Sequence, residues 1–253
     1  MKTLSNKVIL VTGGSSGIGR ATSKILAQEG ASVIVADILV EAGTDTVKQI
    51  VDAGGTAIFA ELDVTKMEHI NRLEDIISEK FGRLDGAFNN AGIEGPTAKI
   101  DTYGDNNWEN VISVNLTAVF SCIKSQLKFM SKQESGGSIV ITSSVAGLVG
   151  LPGASGYNSA KHGVIGLTKT IALEYASKKI RVNSICPGFI DTPMLSRVTD
   201  ASIKIREELI KMVPMRRVAR AEEIGQAAAW LLSDKASYIT GIALPVDGGW
   251  TAQ

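Results

Sequence analysis

Cysteine is scarce in this chain, two in 253 residues, which excludes a disulfide scaffold. Cys122 and Cys186 lie in apolar contexts (FSCIK and NSICPG) with no second Cys or His at ligand spacing. That is the pattern of buried free thiols in a reducing compartment. Histidine is equally scarce, again two. His69 reads as a surface helix residue and His162 as a packing residue beside Lys161, so no metal site is expected. Net charge is absent: 26 Lys and Arg balance 26 Asp and Glu, and the sequence pI is near 6.8. Without a basic face there is no case for a nucleic-acid partner. No window approaches the ~18 uninterrupted apolar residues of a membrane span. The opening MKTLSNKVILVTGG, interrupted by Asn6 and Lys7, lacks the apolar core of a signal peptide. A cytoplasmic protein with no membrane partner is the expectation. Also missing is any Pro/Ser-rich linker, charge block or repeat, so residues 1–253 are expected to form one domain, within the ~250 residues an α/β domain can reach.

What the chain does have is an alternation. Short β-branched runs at 7–12, 32–36, 56–60, 84–88, 138–142, 180–185 and 242–245 read as buried strands. Stretches with helical periodicity lie between them, at 17–29, 41–53, 66–81, 108–130, 157–177 and 221–232. Strands and helices in alternation specify right-handed crossovers. The predicted fold class is α/β, a doubly wound sheet of about seven parallel strands with helices on both faces. Two irregular segments, 93–107 and 188–202, follow the fourth and sixth strands. Long loops at the carboxyl ends of strands are where open α/β sheets take ligands.

Glycine is in surplus, at 26 residues, and its placement is informative. The first strand runs into Thr12-Gly13-Gly14-Ser15-Ser16-Gly17-Ile18-Gly19 and then a helix. The spacing G-x-x-x-G-x-G is a variant of the dinucleotide fingerprint: backbone N–H groups approach a pyrophosphate at a helix N-terminus. Asp37 ends the second strand, 24 residues beyond Gly13. A carboxylate there accepts hydrogen bonds from a ribose and repels a 2′-phosphate. Ser16 and Ile38 are uncharged, and Arg20, one turn into the helix, is expected to face solvent or another part of the cofactor. NAD is therefore expected rather than NADP.

Tyr157 and Lys161 stand four residues apart at the start of a helix and project from one face. Bringing a phenol from pKa ~10 to near neutrality takes ~4 kcal/mol of differential stabilisation, and an adjacent ammonium acts in that direction. Ser143 and Ser144 sit just past the strand 138–142, where a hydroxyl can donate to a substrate oxygen or simply make a turn. Asn115 is a poor helix former inside a predicted helix. It either caps a local irregularity or has a chemical role.

With these residues in place the chain resembles the short-chain dehydrogenase/reductases, in their shorter subclass with a single Rossmann-like domain. The resemblance runs from Lys7 to Gly249 through Thr12–Gly19, Asp63-Val64, Asn89-Asn90-Ala91-Gly92, Asn115, Ser144, Tyr157 with Lys161, and Pro187-Gly188. It implies that Tyr157 is the general acid-base and that Ser144, rather than Ser143, orients substrate. Lys161 would lower the tyrosine pKa and hold the nicotinamide ribose, and the Asn115 backbone carbonyl would anchor a water in a proton relay. Cofactor contacts would come from Gly13, Ser15, Ser16, Gly17, Ile18 and Gly19. Asp37 and Ile38 would meet the ribose, and Asp63 and Val64 the adenine. Asn89, Ala91 and Gly92 would shape the crevice, with Pro187, Gly188, Ile190 and Thr192 at the carboxamide end.

The expected activity is NAD(H)-dependent interconversion of a small, largely apolar or cyclic secondary alcohol and its ketone. Leu148, Val149, Leu151, Met194, Leu195 and Met212 are candidates for an apolar pocket, under a substrate loop at about 188–213. A 3-oxoacyl-carrier-protein reductase using NADPH is the alternative, and a non-catalytic dinucleotide-binding regulator a more remote one. The helices 108–130 and 157–177 carry apolar residues on more than one side (Val119, Phe120, Leu167, Ile171, Leu173). The family likeness makes these the pairing faces of a homotetramer.

Overall fold

The computed structural model describes residues 2–199 and 203–252. Seven of its strands form one parallel sheet: β1 (Val8–Thr12), β2 (Ser32–Asp37), β3 (Thr56–Glu61), β4 (Gly86–Asn89), β5 (Gly137–Thr142), β6 (Ile180–Pro187) and β9 (Ala243–Val246). Their spatial order is β3-β2-β1-β4-β5-β6-β9. The order reverses between β1 and β4, which pair in register from Ile9 opposite Gly86 to Thr12 opposite Asn89. At such a reversal the two flanking crossovers leave in opposite directions and open a crevice at the carboxyl edge.

Strand alternation divides the core in two. Val8 and Leu10 of β1, with Ile34 and Ala36 of β2, join the layer formed with α3 (Met67–Lys80), α5 (Ala118–Met130) and α6 (Ser155–Tyr175). Ile9, Val11, Val33 and Val35 face the opposite way, onto α1 (Gly17–Gln28) and α9 (Ala221–Leu232). Both sheet faces are covered, which is why the strands read as continuous apolar runs.

Three expectations shift. The fourth strand begins at Gly86 and not at Leu84, because Leu84 spends its N–H and C=O on the Gln133 side chain. The predicted helix 108–130 starts earlier and is interrupted. α4 (Asp105–Ile112) is followed by a π turn, Ser113–Thr117, and then by α5. The segment 188–202 is not irregular. It contains β7 (Ile190–Asp191), which pairs with β8 (Ala219–Arg220), and α7 (Pro193–Thr199). Its last residues, 200–202, lie outside the described residues, and α8 (Ile203–Met212) follows them.

Cys122 and Cys186 are free and buried. His162 does not pack beside Lys161: it is exposed, its Nδ1 2.9 Å from the Asn158 carbonyl oxygen of its own helix. Of the surplus apolar helix residues, Val119 and Ile171 are buried within the chain, whereas Phe120 and Leu173 remain 49% and 84% exposed. Among the described residues no helix is long and apolar enough to cross a membrane.

Candidate active site

The crevice at the β1/β4 reversal is a cleft of about 580 Å³. Its floor is a junction of two strand ends: Asn90 N–H and Ala91 N–H donate to Thr12 Oγ1 at 3.1 and 3.2 Å. Gly13 crosses this junction with φ +64°, and a Cβ there would lie 2.9 Å from the Ala91 Cα. Gly19 is held just as closely by the turn itself, since its Cβ would fall 1.9 Å from the Gly13 carbonyl oxygen. Helix α1 then opens with no side-chain cap on Ser16 and no acidic residue in its first turn. Its leading N–H groups lack intrahelical partners, and Ser16, Gly17 and Ile18 line the cleft. An uncapped helix N-terminus beside a cavity fits a dinucleotide pyrophosphate.

Asp37 closes that end. It is buried, 8% exposed, and accepts from Ser15 N–H at 2.9 Å and Leu39 N–H at 3.1 Å. Two backbone donors fix the carboxylate at the cleft wall with acceptor capacity left for a diol. Arg20 is half-buried and does not line the cleft. Its Nε donates to the Ser15 carbonyl at 2.8 Å and its Nη2 to the Ala42 carbonyl at 3.0 Å, and Nη1 lies 3.1 Å from Asp45. The guanidinium ties the turn to α2 (Val40–Asp52). Asp63 also lines the cleft, its N–H donating to His69 Nδ1 at 3.1 Å, so His69 braces the loop after β3.

The other end holds the candidate chemistry. Tyr157 and Lys161 leave one face of α6 into the cleft. Lys161 is 3% exposed, donates from Nζ to the Thr142 carbonyl at 2.8 Å, and lies 5.5 Å from the Tyr157 ring centroid. Ser143 is occupied: its Oγ donates to the Lys161 carbonyl at 2.9 Å, pinning α6 to the end of β5. Ser144 Oγ accepts from Ala146 N–H at 3.1 Å, and the hydroxyl stands near enough to Tyr157 to act on its pKa. Asn115 sits in the π turn, where the Ala118 N–H reaches back five residues to the Ser113 carbonyl. Its side chain grips Ile93 at both backbone atoms, Nδ2 to O at 2.8 Å and Oδ1 from N–H at 2.9 Å.

Burial pushes the Tyr157 phenol up, the Ser144 hydroxyl opposes it, and the Glu94 charge adds to the rise. The Lys161 ammonium is turned onto the Thr142 carbonyl. Burial also brings the lysine down, to about 8.

Most of the predicted cofactor residues line the cleft: Gly13, Ser16 to Ile18, Asp37 and Ile38 at one end, Asp63 and Val64 beside them, Ala91 and Gly92 in the middle, and Pro187, Gly188, Ile190 and Thr192 on the far wall. Three do not. Ser15 and Gly19 support the turn from behind. Asn89 is 3% exposed and exchanges two side-chain hydrogen bonds with Gln126, at 2.9 and 2.8 Å. Of the apolar pocket candidates, Met194 and Leu195 line the cleft, while Leu148, Val149, Leu151 and Met212 do not. Sequence reasoning missed Leu39, Ile93 and Phe189, and also Glu94 and Arg197, two charged residues that meet across the opening. Leu39 adjoins Asp37 and Ile93 adjoins Gly92, so proximity to the motifs was a usable signal for both. Glu94 and Arg197 fall in the two segments marked as ligand loops, 93–107 and 188–202, but nothing local marks them as a pair, 103 residues apart.

A cleft with this nucleotide end and this tyrosine end defines an oxidoreductase of the dinucleotide-binding kind, and the comparisons specify the family. The family model described as Enoyl-(Acyl carrier protein) reductase matches residues 13–251. The chain belongs to the short-chain dehydrogenase/reductase family. It is 43% identical to cyclohexanol dehydrogenase of Acinetobacter sp. (strain SE19), over 98% of this chain and 96% of that one. It is 42% identical to the 3-oxoacyl-[acyl-carrier-protein] reductase FabG of Thermotoga maritima, over 97% of this chain and 98% of the relative. Among solved structures, carveol dehydrogenase from Mycobacterium avium in complex with NAD superposes with a TM-score of 0.95, at 31% identity and complete coverage of both chains.

Proposed function

We propose that the chain is an NAD(H)-dependent dehydrogenase that interconverts a neutral cyclic secondary alcohol and its ketone, with Tyr157 as general acid-base. The observation that carries this reading is convergence. Ser144, Tyr157, Lys161 and Asn115 line the same cleft whose opposite end offers an uncapped helix N-terminus and Asp37. The residues fit a dinucleotide: α1 would hold the pyrophosphate, Asp37 the adenosine ribose, and Lys161 the nicotinamide ribose. When bound, the nicotinamide ring supplies the hydride acceptor or donor.

The chain's own groups handle the proton. In oxidation, Tyr157 as phenolate takes the alcohol proton; in reduction, the phenol returns it to the forming alkoxide. Burial opposes the phenolate, so its formation relies on hydrogen bonding from Ser144 and on the positive charge of Lys161. Both polar atoms of the Asn115 side chain are spent on Ile93. A water held by Asn115 in a relay to Lys161 would bond its backbone carbonyl, as the family likeness implies.

NAD is favoured over NADP because Asp37 would repel a 2′-phosphate, and because Arg20, the cation nearest the turn in sequence, is tied to Ser15, Ala42 and Asp45. Cyclohexanol is a cyclic secondary alcohol, and the relative named for it supports that substrate class. The FabG relative supports a second reading, NADPH-dependent reduction of an acyl thioester, to which the same Asp37 argument is opposed. Exposed Phe120 and Leu173 support the homotetramer implied by the family likeness. The test is initial-rate turnover of cyclohexanol, substituted cyclohexanols and a 3-oxoacyl thioester, each with NAD(H) and NADP(H). Faster oxidation of the cyclic alcohols with NAD is expected, and Asp37→Ser should lose at least about tenfold of the NAD preference. Dominant NADPH-dependent reduction of the thioester would overturn the proposal.

A further inference from the structure

The charged residues lining the cleft divide by position. Asp37 and Asp63 belong to the nucleotide end and Lys161 to the tyrosine. Glu94 and Arg197 remain, and they bond each other. Arg197 Nε and Nη2 reach the two Glu94 carboxylate oxygens at 3.0 and 3.1 Å, a parallel fork in which both acceptors are engaged. Glu94 comes from the loop after β4, next to Ile93, whose backbone is clamped by Asn115. Arg197 comes from α7, whose base is tied by the Thr192 hydroxyl accepting from Leu195 N–H at 3.4 Å. The pair thus bridges a fixed loop and the helix over the cleft, at the end where Tyr157 reacts.

We propose that Glu94 and Arg197 form a charge-neutral clasp over the substrate end of the cleft, selecting uncharged substrates and rejecting carboxylates. The proposal rests on the dehydrogenase reading above and names the substrate class of that site. The mechanism is exclusion. An incoming carboxylate meets the Glu94 charge beside an arginine whose charge Glu94 already neutralises and whose Nε–Nη2 edge is filled, so it binds at a cost in repulsion. A neutral ring meets no such cost. Glu94 is also close enough for its charge to be felt at the Tyr157 phenol, so the clasp stands beside the reacting group. With the Arg197 side chain 61% exposed, the ion pair contributes little to folding, and substitutions there perturb selection and not the fold.

Removing the acid should reverse the selection by freeing Arg197 for a substrate carboxylate. The experiment is isothermal calorimetry on the protein with NADH bound, using cyclohexanecarboxylate and its neutral isostere cyclohexanecarboxamide as probes. The unmodified protein should bind the amide about tenfold more tightly than the carboxylate. Glu94→Gln should move that ratio at least tenfold toward the carboxylate, and Arg197→Gln added to it should abolish the gain. A shift below threefold in Glu94→Gln, survival of the gain in the double variant, or an unmodified protein that fails to prefer the amide would each overturn the clasp. Lack of turnover of every alcohol with either nucleotide would instead contradict the dehydrogenase reading, leaving the affinity ratio as the clasp's own readout.

Discussion

Replacing Lys161 with methionine should make the protein inactive but more stable at neutral pH. The side chain is 3% exposed, and burial brings its pKa from 10.5 to about 8. Below pH ~8 the lysine is protonated in both the folded and unfolded chain, and holding the charge in the folded site costs about 3 kcal/mol. As pH rises through the folded pKa toward the unfolded one, that cost disappears. The lysine therefore makes the unmodified protein gain about 2.5 kcal/mol between pH 7 and pH 10. Methionine has nearly the same length and no charge. It leaves the Thr142 carbonyl without its 2.8 Å donor, a loss of about 1–3 kcal/mol. The net expectation is a variant more stable by about 1 kcal/mol at pH 7 and less stable by about 1–2 kcal/mol at pH 10. Urea denaturation of both proteins across this range measures the difference, and alcohol oxidation should fall by at least about 100-fold. A stability difference that stays constant within ~0.5 kcal/mol from pH 7 to pH 10 would refute the buried-charge reasoning.

Three further substitutions separate structural from chemical roles. Gly19→Ala sets a Cβ 1.9 Å from the Gly13 carbonyl oxygen; the turn must shift, so stability should fall by about 1–3 kcal/mol or more in a thermal melt and NAD affinity should fall with it. Asn89→Leu strands the buried Gln126 amide, costing about 1–3 kcal/mol by urea denaturation, while the KM for NAD stays within about twofold. Glu94→Gln removes a charge that raises the Tyr157 pKa, so the rising limb of kcat/KM for alcohol oxidation against pH should move to lower pH.

The layered parallel sheet was legible because each strand is a short β-branched run buried on both faces, and seven such runs leave few other solutions. Boundaries were less legible where a side chain competes with the ladder, as Gln133 does at Leu84. Asn115 was visible only as a misfit in a helix; that the misfit is a π turn gripping Ile93 depends on contacts 22 residues away. Asn89 shows the converse. Its place in a family motif suggested a cofactor contact, yet its amide is spent on Gln126. The lysine beside the tyrosine was legible from i, i+4 spacing, but not the direction of its ammonium, which the Thr142 carbonyl decides. The Glu94–Arg197 clasp joins residues 103 apart and carries no periodic or motif signature.

The central claim is that Tyr157 moves the proton in this cleft, and Tyr157→Phe tests it most directly because it deletes one oxygen from a ring that otherwise keeps its packing. Steady-state oxidation of a cyclic secondary alcohol with NAD should lose at least about 100-fold in kcat, while NAD affinity and the urea midpoint stay near those of the unmodified protein. A variant that retains kcat within about threefold would contradict the account.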